Sequence, residues 1–400
     1  MKSTVIVIGS ADVIKLGLIR DVGELGYKVI SIHIVGSYKS ERFKLKPLDY
    51  YSKYVDTYYF ATKEDLIDLL MNKCAEKNQK PILFPLDDSS VYLIDQSHHL
   101  LNNSFLYAHV NHQEGSIVHL MNKILQKKLA CEAGLNVAKG WEILHNGLDY
   151  VIPKDIKYPC FVKGELSYEG GKSVQRVCYN EKELRNLINE HKKKSSNPLL
   201  AEEYLTIDKE IGYIGFSGEK CCSIPVRCEK IEIGKGTSNG VTIAGRLIFV
   251  EKEDETVQAI NRFLQSISYT GIYNFDFIES KGKLYFLEIN FRYAAYGYGV
   301  SRSGVNLPAI FVNNILGKDG EPIAFPPNYS KTFFNEKVGI INVLEKSITC
   351  RKYRELKKNA DFLMIENSSD SKPYLMLWSF IVNRLFFRAV RKMKLEHKKD

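Results

Sequence analysis

The chain has 400 residues, 44% of them hydrophobic, 26% charged and 12% aromatic, with a net charge of +9. At about 150 residues per domain that is roughly two to three domains, enough to bury a core without disulfides or structural metal. The composition excludes a collagen, a wholly disordered chain and a polytopic membrane protein. The first apolar run, Val5 to Ile8, is too short for an export signal, and Tyr374 to Phe387, the nearest approach to a spanning helix, is broken by Asn383 and Arg384.

Eight cysteines are scattered without a CxxC pair. Reduced thiols in a cytosolic protein are expected, most of them as small buried hydrophobes, and no zinc site. The charge surplus is uneven. After Lys372 there are seven basic residues (Arg384, Arg388, Arg391, Lys392, Lys394, Lys398, Lys399) against Glu396 and Asp400. The rest of the chain is near neutral, so no broad nucleic-acid-binding face is expected.

Thr4 to Gly9 (TVIVIG) is a continuous apolar run, the pattern of a parallel strand buried on both faces. Leu16, Ile19, Val22 and Leu25 then recur at spacings of three and Gly26 closes a helix. Lys28 to Val35 reads as a strand, Asp65 to Cys74 as a helix and Pro81 to Leu86 as a strand. This alternation predicts an α/β N-terminal doubly wound domain over residues 1–114, with Gly9-Ser10-Ala11-Asp12 and Asp87-Asp88-Ser89-Ser90 at the strand-end edge where ligands bind. After Gly9 there is no glycine until Gly17, so the GxGxxG turn of a nicotinamide site is missing and a dehydrogenase is rejected.

From about Gly115 the texture changes. Met121 to Gly134 is a Lys-rich amphipathic helix. Tyr158 to Lys163 is a strand that runs into the polar loop Gly164 to Ser173, and Val174 to Tyr179 is a further strand. A helix over Glu181 to Lys192 and a strand over Leu199 to Leu205 follow. Strands are then predicted at 210–216, 221–228, 242–250, 271–279 and 283–290, with a helix over 255–267. Two α+β lobes facing each other are expected over residues 115–320, one of them a lid lobe over about 136–205. Residues 321–400 form a C-terminal extension ending in a basic amphipathic helix, Tyr374 to Lys394.

Chemistry concentrates near residues 276 to 290. Asp276 lies between Phe275 and Phe277, and Glu288 between Leu287 and Ile289. Glu288 and Asn290 are two apart and share a strand face. A hairpin turning at Lys281-Gly282 sets Asp276 beside Glu288 across the ladder. Two carboxylates and an amide oxygen on one face are hard donors that suit Mg²⁺, although strand alternation alone would also produce a solvated hairpin face. Lys163 precedes a loop holding Gly164, Gly170 and Gly171, where backbone N–H groups and a lysine can meet phosphate. Leu199 to Leu205 (LLAEEYL) ends a short apolar strand in acids that can accept from an adenine amino group.

In order and spacing, Lys123, Lys163, Glu202-Glu203-Tyr204-Leu205, Glu210, Asp276 and Glu288-x-Asn290-x-Arg292 resemble the ATP-grasp superfamily, in the branch of biotin carboxylase, carbamoyl-phosphate synthetase and D-aspartate ligase. The resemblance covers about residues 1–320 and is most specific at Glu288 to Arg292 and at Ser303 to Pro308. It implies ATP with one or two Mg²⁺, or Mn²⁺, as cofactors. Lys123 and Lys163 would contact phosphates, with Gly170 and Gly171 in the lid. Glu202, Glu203 and Leu205 would line the adenine site and Glu210 would bind the ribose. Asp276, Glu288 and Asn290 would hold metal, and Arg292, catalytic with Lys163, would stabilise the transferred phosphate or the substrate carboxylate. Phe291 replaces the family's usual proline, Asn122 stands where an aspartate often precedes the lysine, and no proline follows Lys163. None of these removes a metal or phosphate ligand.

The resemblance implies an ADP-forming carboxylate–amine ligase working through an acyl phosphate, with small-molecule carboxylate and amine substrates. The specific form is joining an amino acid to a cell-envelope precursor. The alternative is a nucleotide-binding regulatory protein on the same body. Arg302 is a candidate carboxylate binder beside a Tyr- and Gly-rich run, with Arg227 and Arg246 as weaker ones. His98, His99, His109, His112 and His119 read as structural or surface residues, since this chemistry needs no Ser-His-Asp arrangement. The C-terminal helix either packs on the body or meets a lipid surface, so the expected location is cytoplasmic, with peripheral contact at the inner membrane face as the second case. An oligomer is compatible with every one of these features.

Overall fold

A computed structural model describes residues 3–38, 46–147, 149–166, 174–218, 221–222, 226–251, 254–318 and 329–382. Four parallel strands open the chain: β1 (Thr4–Gly9), β2 (Lys28–Ile34), β3 (Thr57–Ala61) and β4 (Ile82–Pro85), side by side in the order β3-β2-β1-β4. Val5 and Val7 pack with Leu16 and Ile19 of the Asp12–Gly23 helix. Ile6 and Ile8 face the other way, onto Leu66, Leu70 and Ile94. Burial on both faces is why β1 carries no polar alternation. The edge strand β3 was not expected: its sequence, TYYFA, is half-buried and lacks the apolar run of its neighbours. Because β2 and β4 flank β1 on opposite sides, the chain after β1 meets the chain after β4. Ser10 N–H donates to Asp87 Oδ2 at 2.9 Å. At Gly9, φ is +149° and a Cβ would stand 3.0 Å from that oxygen, so glycine is required there.

A second, antiparallel sheet is formed by β6 (Gly140–His145), β7 (Tyr150–Val151), β8 (Cys160–Gly164), β9 (Arg176–Cys178) and β10 (Leu199–Glu203), in the order β7-β6-β10-β8-β9. The Glu181–Lys192 helix starts at Asn180, whose side chain accepts from Glu183 N–H, and lays Leu184, Leu187 and Ile188 against Trp141, Ile143 and Val162. Strands β6 and β7 also went unforeseen.

The third sheet runs β16-β15-β11-β13-β14-β17-β18, with β12 beside β11 and β5 (His109–Val110) beside β15. Its members are β11 (Lys209–Gly218), β12 (Cys221–Cys222), β13 (Val226–Ile233), β14 (Thr242–Phe249), β15 (Tyr269–Ser280), β16 (Lys283–Asn290), β17 (Ser330–Phe334) and β18 (Phe362–Leu363). Phe275 and Phe277 of β15 join Ile260 and Phe263 of the Glu255–Ser266 helix in one core. Strand alternation therefore sends Asn274 and Asp276 to the opposite face. The expected hairpin is present, in register Asp276↔Glu288 and Asn274↔Asn290, and it turns at Lys281 and Gly282, both at positive φ.

The extension is more than a tail. Helices Glu336–Leu344 and Cys350–Lys358 flank β17 and β18, and residues 372–382 form a further helix. Leu377 and Ile381 of that helix are buried in the same core as Val5 and Leu16, so its inner face packs on the body. Its outer face leaves Leu375, Trp378 and Val382 at least half exposed. The basic residues after 382 lie outside the described residues. Among those described, no helix is long and apolar enough to cross a membrane. The histidines also depart from a scattered arrangement: His109 stacks on His112 at 3.5 Å between ring centroids, with His98 and Tyr107 alongside.

Candidate nucleotide and metal site

The site face is the side of β15 and β16 turned away from the Glu255–Ser266 helix. Asn274 and Asn290 donate to Asp276 Oδ2 at 3.0 and 2.9 Å, and Arg292 donates to Asn290 Oδ1 at 3.3 Å. Glu288 is 3.4 Å from Lys123 Nζ. The Lys123–Glu132 helix is pinned to β16 by Gln126, which donates to Ile289 C=O and accepts from Ile289 N–H. The buried Gln126 amide thus fixes the height at which Lys123 meets Glu288. Asn122, the departure from the family pattern, caps this helix by accepting from Ile124 and Leu125 N–H, and its amide reaches Glu165.

Lys163 ends β8 and lies 2.7 Å from Glu202 of β10; Lys127 reaches the other oxygen of Glu202 at 2.7 Å. The Glu202 side chain, expected at the adenine site, is thus found between two lysines. Burial would raise the pKa of its carboxylate, but the two ammonium groups outweigh it and hold the pKa below the usual value. Glu203 is exposed, and its N–H is taken by Lys139 C=O, so only its carbonyl remains to meet a base. Leu205 follows beyond the end of β10. Glu210 on β11 pairs with Lys230 of β13 at 2.9 Å, and Lys230 also lies 3.8 Å from Asp276. Arg292 pairs at 2.7 Å with Asp88, the first residue of the Asp88–Gln96 helix at the end of β4.

Electrostatically the two carboxylates are pushed apart. Burial raises Asp276, opposed by Lys230 and assisted by Glu288. Burial would also raise Glu288, but Lys123 and Lys163 outweigh it and its pKa is lowered. A divalent cation between them would offset the burial and repulsion at Asp276. Among the described residues no group of three His, Cys, Asp or Glu side chains gathers as a metal site. A cation here would rest on two carboxylates, one amide oxygen, waters and phosphate, an oxygen set that fits Mg²⁺.

Lys127 and Lys230 were not picked out from the sequence, and neither was the pairing of Asp88 with Arg292. Lys127 had a signal, since it is one helical turn after Lys123 and shares its face. Lys230 had a weaker one, a lysine inside the strand VRCEKIEI. Asp88 was placed only at the strand-end edge; its pairing with Arg292 had no signal, because the partner is 204 positions away. Of the expected substrate arginines, Arg227 and Arg246 belong elsewhere. Arg227 faces Tyr213 across the ladder and Arg246 faces Glu229, while Asp276 shares the other face with Gly212 and Cys228. Arg227 instead pairs with Glu229 at 2.8 Å. Arg302 is exposed and stands over the Phe362 ring at 5.9 Å. Gly170 and Gly171 lie outside the described residues.

Two facing sheets that bring lysines from one side and carboxylates from the other onto a common cleft are the arrangement of an ATP-grasp domain, and over residues 122–296 the chain is similar to one. Residues 122–296 match the model of the carbamoyl-phosphate synthase L chain, ATP binding domain. The carbamoyl phosphate synthase large chain of Clostridium perfringens is 28% identical over 192 residues, 46% of this chain and 18% of that one. The D-alanine–D-alanine ligase of Bacillus cytotoxicus is 28% identical over 185 residues, 42% of this chain and 50% of the relative. The chain therefore spans half or less of the length of these relatives. Among solved structures, the N5-carboxyaminoimidazole synthetase of Staphylococcus aureus superposes with a TM-score of 0.61 at 18% identity, covering 87% of this chain and 86% of the other. An L-amino acid ligase from Bacillus licheniformis gives 0.56 at 14% identity, covering 83% and 79%.

Proposed function

We propose that the chain is an ADP-forming ligase that joins a carboxylate to an amine through an acyl phosphate, with an amino acid and a cell-envelope precursor as the specific pair. The observation that carries this is the single face holding Asp276, Glu288 and Asn290 with Lys123 and Lys163 across it. A substrate carboxylate oxygen attacks the γ-phosphorus of ATP, ADP leaves, and the amine then attacks the acyl carbon and expels phosphate as it loses a proton. Mg²⁺, when bound, supplies neutralisation of phosphate charge. Lys123 and Lys163 orient the phosphates, and Arg292, held by Asp88, faces the transferred group. Such chemistry is positioning and charge neutralisation more than covalent catalysis.

Mg²⁺–ATP is expected to raise the unfolding free energy by about 2.7 kcal/mol at a hundredfold excess over its Kd. ADP release should then appear with some D- or L-amino acid in the presence of an amine panel. No thermal shift in folded protein at millimolar Mg²⁺–ATP would sink the reading. Binding without ADP release across the panel would make the chain a nucleotide-binding regulatory protein instead.

A lipid-linked substrate fits the outer stripe Leu375, Trp378 and Val382, followed in sequence by the basic end. The full chain is expected to sediment with anionic liposomes at low salt, and a truncation after Val382 to stay in the supernatant. If the full chain also stays in the supernatant, the helix serves packing alone.

A further inference from the structure

The Lys123–Glu132 helix meets a carboxylate on each of two sheets. Lys123 reaches Glu288 of β16, and Lys127, one turn later, reaches Glu202 of β10. Lys163, at the end of β8, stands on Glu202, and its charge is felt by Glu288 as well.

The two oxygens of Glu202 are divided between two lysines. Lys127 Nζ is 2.7 Å from Oε1, and Lys163 Nζ is 2.7 Å from Oε2. Glu202 is only 7% exposed, so water can do little to replace either partner. Burial lowers the pKa of Lys127, Glu202 opposes it, and Lys163 adds a repulsion; those are the charges that act on it most.

The lid sheet is shaped for this contact. Glu202 is in register with Gly140 of β6 and Phe161 of β8, so the three share a face, and Lys163, two residues after Phe161, shares it too. The opposite face carries Trp141, Val162 and Ala201 into the core beneath the Glu181–Lys192 helix. A Cβ at position 140 would stand 2.8 Å from Lys127 Nζ, so glycine there leaves room for the ammonium over the strand.

These contacts set a condition on nucleotide binding. Lys163 cannot fully neutralise Glu202 and a phosphate at once. With Lys163 as the sole partner of Glu202, its commitment to phosphate would strand a buried carboxylate, which is strongly unfavourable. Lys127 lifts that condition, because it holds the other oxygen from a helix that Gln126 fixes to β16.

Resting on the nucleotide site proposed above, we infer that Lys127 is a positioning residue for ATP: it is the permanent counter-charge of Glu202 and thereby frees Lys163 for phosphate. Lys163 is the exchangeable partner, shared between Glu202 and phosphate.

Calorimetry with Mg²⁺–ATP on the full chain would compare Lys127→Met, Glu202→Gln and the two together. Lys127→Met leaves Lys163 as the one counter-charge of Glu202, so Mg²⁺–ATP should bind tenfold or more weakly. Glu202→Gln removes the carboxylate that needs a counter-charge and keeps an oxygen for an adenine amino group. In that background the loss of Lys127 should matter little, and the double variant should bind within threefold of Glu202→Gln. A lysine acting only through the packing of its stem would weaken binding equally in both backgrounds, and that result would overturn the assignment. So would a Kd for Lys127→Met within threefold of the unmodified chain. Should Lys127→Met fail to fold, a double variant that folds and binds Mg²⁺–ATP supports the assignment, and one that does not overturns it. Rescue in a chain that releases no ADP with any amino acid would keep Lys127 in its role and defeat the ligase reading. A folded, unmodified chain that does not bind Mg²⁺–ATP would defeat both.

Discussion

Replacing Glu288 with glutamine is expected to cut ADP formation by roughly 10² to 10³-fold while the protein stays folded. The two side chains are near-isosteric, so the packing of β16 barely changes. What disappears is one of the two carboxylate charges on the site face and the partner of Lys123, 3.4 Å away. Glutamine can still offer an oxygen, but a neutral one, and a preorganised charge in a water-poor cleft is worth far more than the same charge in solvent. Urea unfolding should shift by about 1–3 kcal/mol, because the buried Lys123 loses its counter-charge and keeps only a neutral oxygen as partner. The check is steady-state ADP release alongside Mg²⁺–ATP affinity. An unchanged rate would remove Glu288 from the reaction.

The largest loss of stability should come from Asp370→Ala. Arg20 is fully buried, with Nε 2.9 Å from Asp370 Oδ2 and a second nitrogen 2.9 Å from Asp370 C=O. The same carboxylate accepts from Ser52 Oγ at 2.8 Å and Lys53 N–H at 2.9 Å. Removing it leaves a buried guanidinium without its counter-charge, which costs about 3–5 kcal/mol. The urea midpoint should fall accordingly. Arg20→Met combined with Asp370→Leu should recover much of the loss, because a buried pair replaced by apolar groups of similar size is often neutral. A change under about 1 kcal/mol for Asp370→Ala would mean that this contact does not lock the end of the chain to its beginning.

Much of the site could be read from local pattern. The hairpin itself lies within fifteen residues and is legible from two alternating strands and a Lys-Gly turn, but the turn alone would set Asp276 opposite Leu287, and a β-bulge between Asp276 and Phe277 moves it beside Glu288. The apolar run of β1, the amphipathic Glu181–Lys192 and Glu255–Ser266 helices and the placement of Lys163 at a strand end are equally local. Elements with a weak signal were missed for a physical reason. Strands β3, β6 and β7 are edge or half-exposed strands, where one face meets water and no run of large apolar residues is needed.

What local pattern could not supply at the site has one origin. The spacing at Glu202-Glu203 resembles an adenine-binding strand, yet which groups Glu202 meets depends on Lys127 and Lys163 arriving from a helix and a neighbouring strand. Arg227 and Arg246 looked available until the sheet fixed which face of β13 and β14 they occupy. A strand's period of two says that residues alternate, not which face will meet the cleft.

Sequence alone thus carried the order of elements and the meeting of Asp276, Glu288 and Asn290 on one strand face, since periodicity and turn chemistry act between residues close along the chain. Lys230 beside Asp276, Asp88 on Arg292 and Arg20 on Asp370 are tertiary facts. The last pair is separated by 350 residues, and neither partner shows any local sign of the other. A buried charge is tolerable only where its counter-charge is delivered, and that delivery is settled by how the sheets and helices pack.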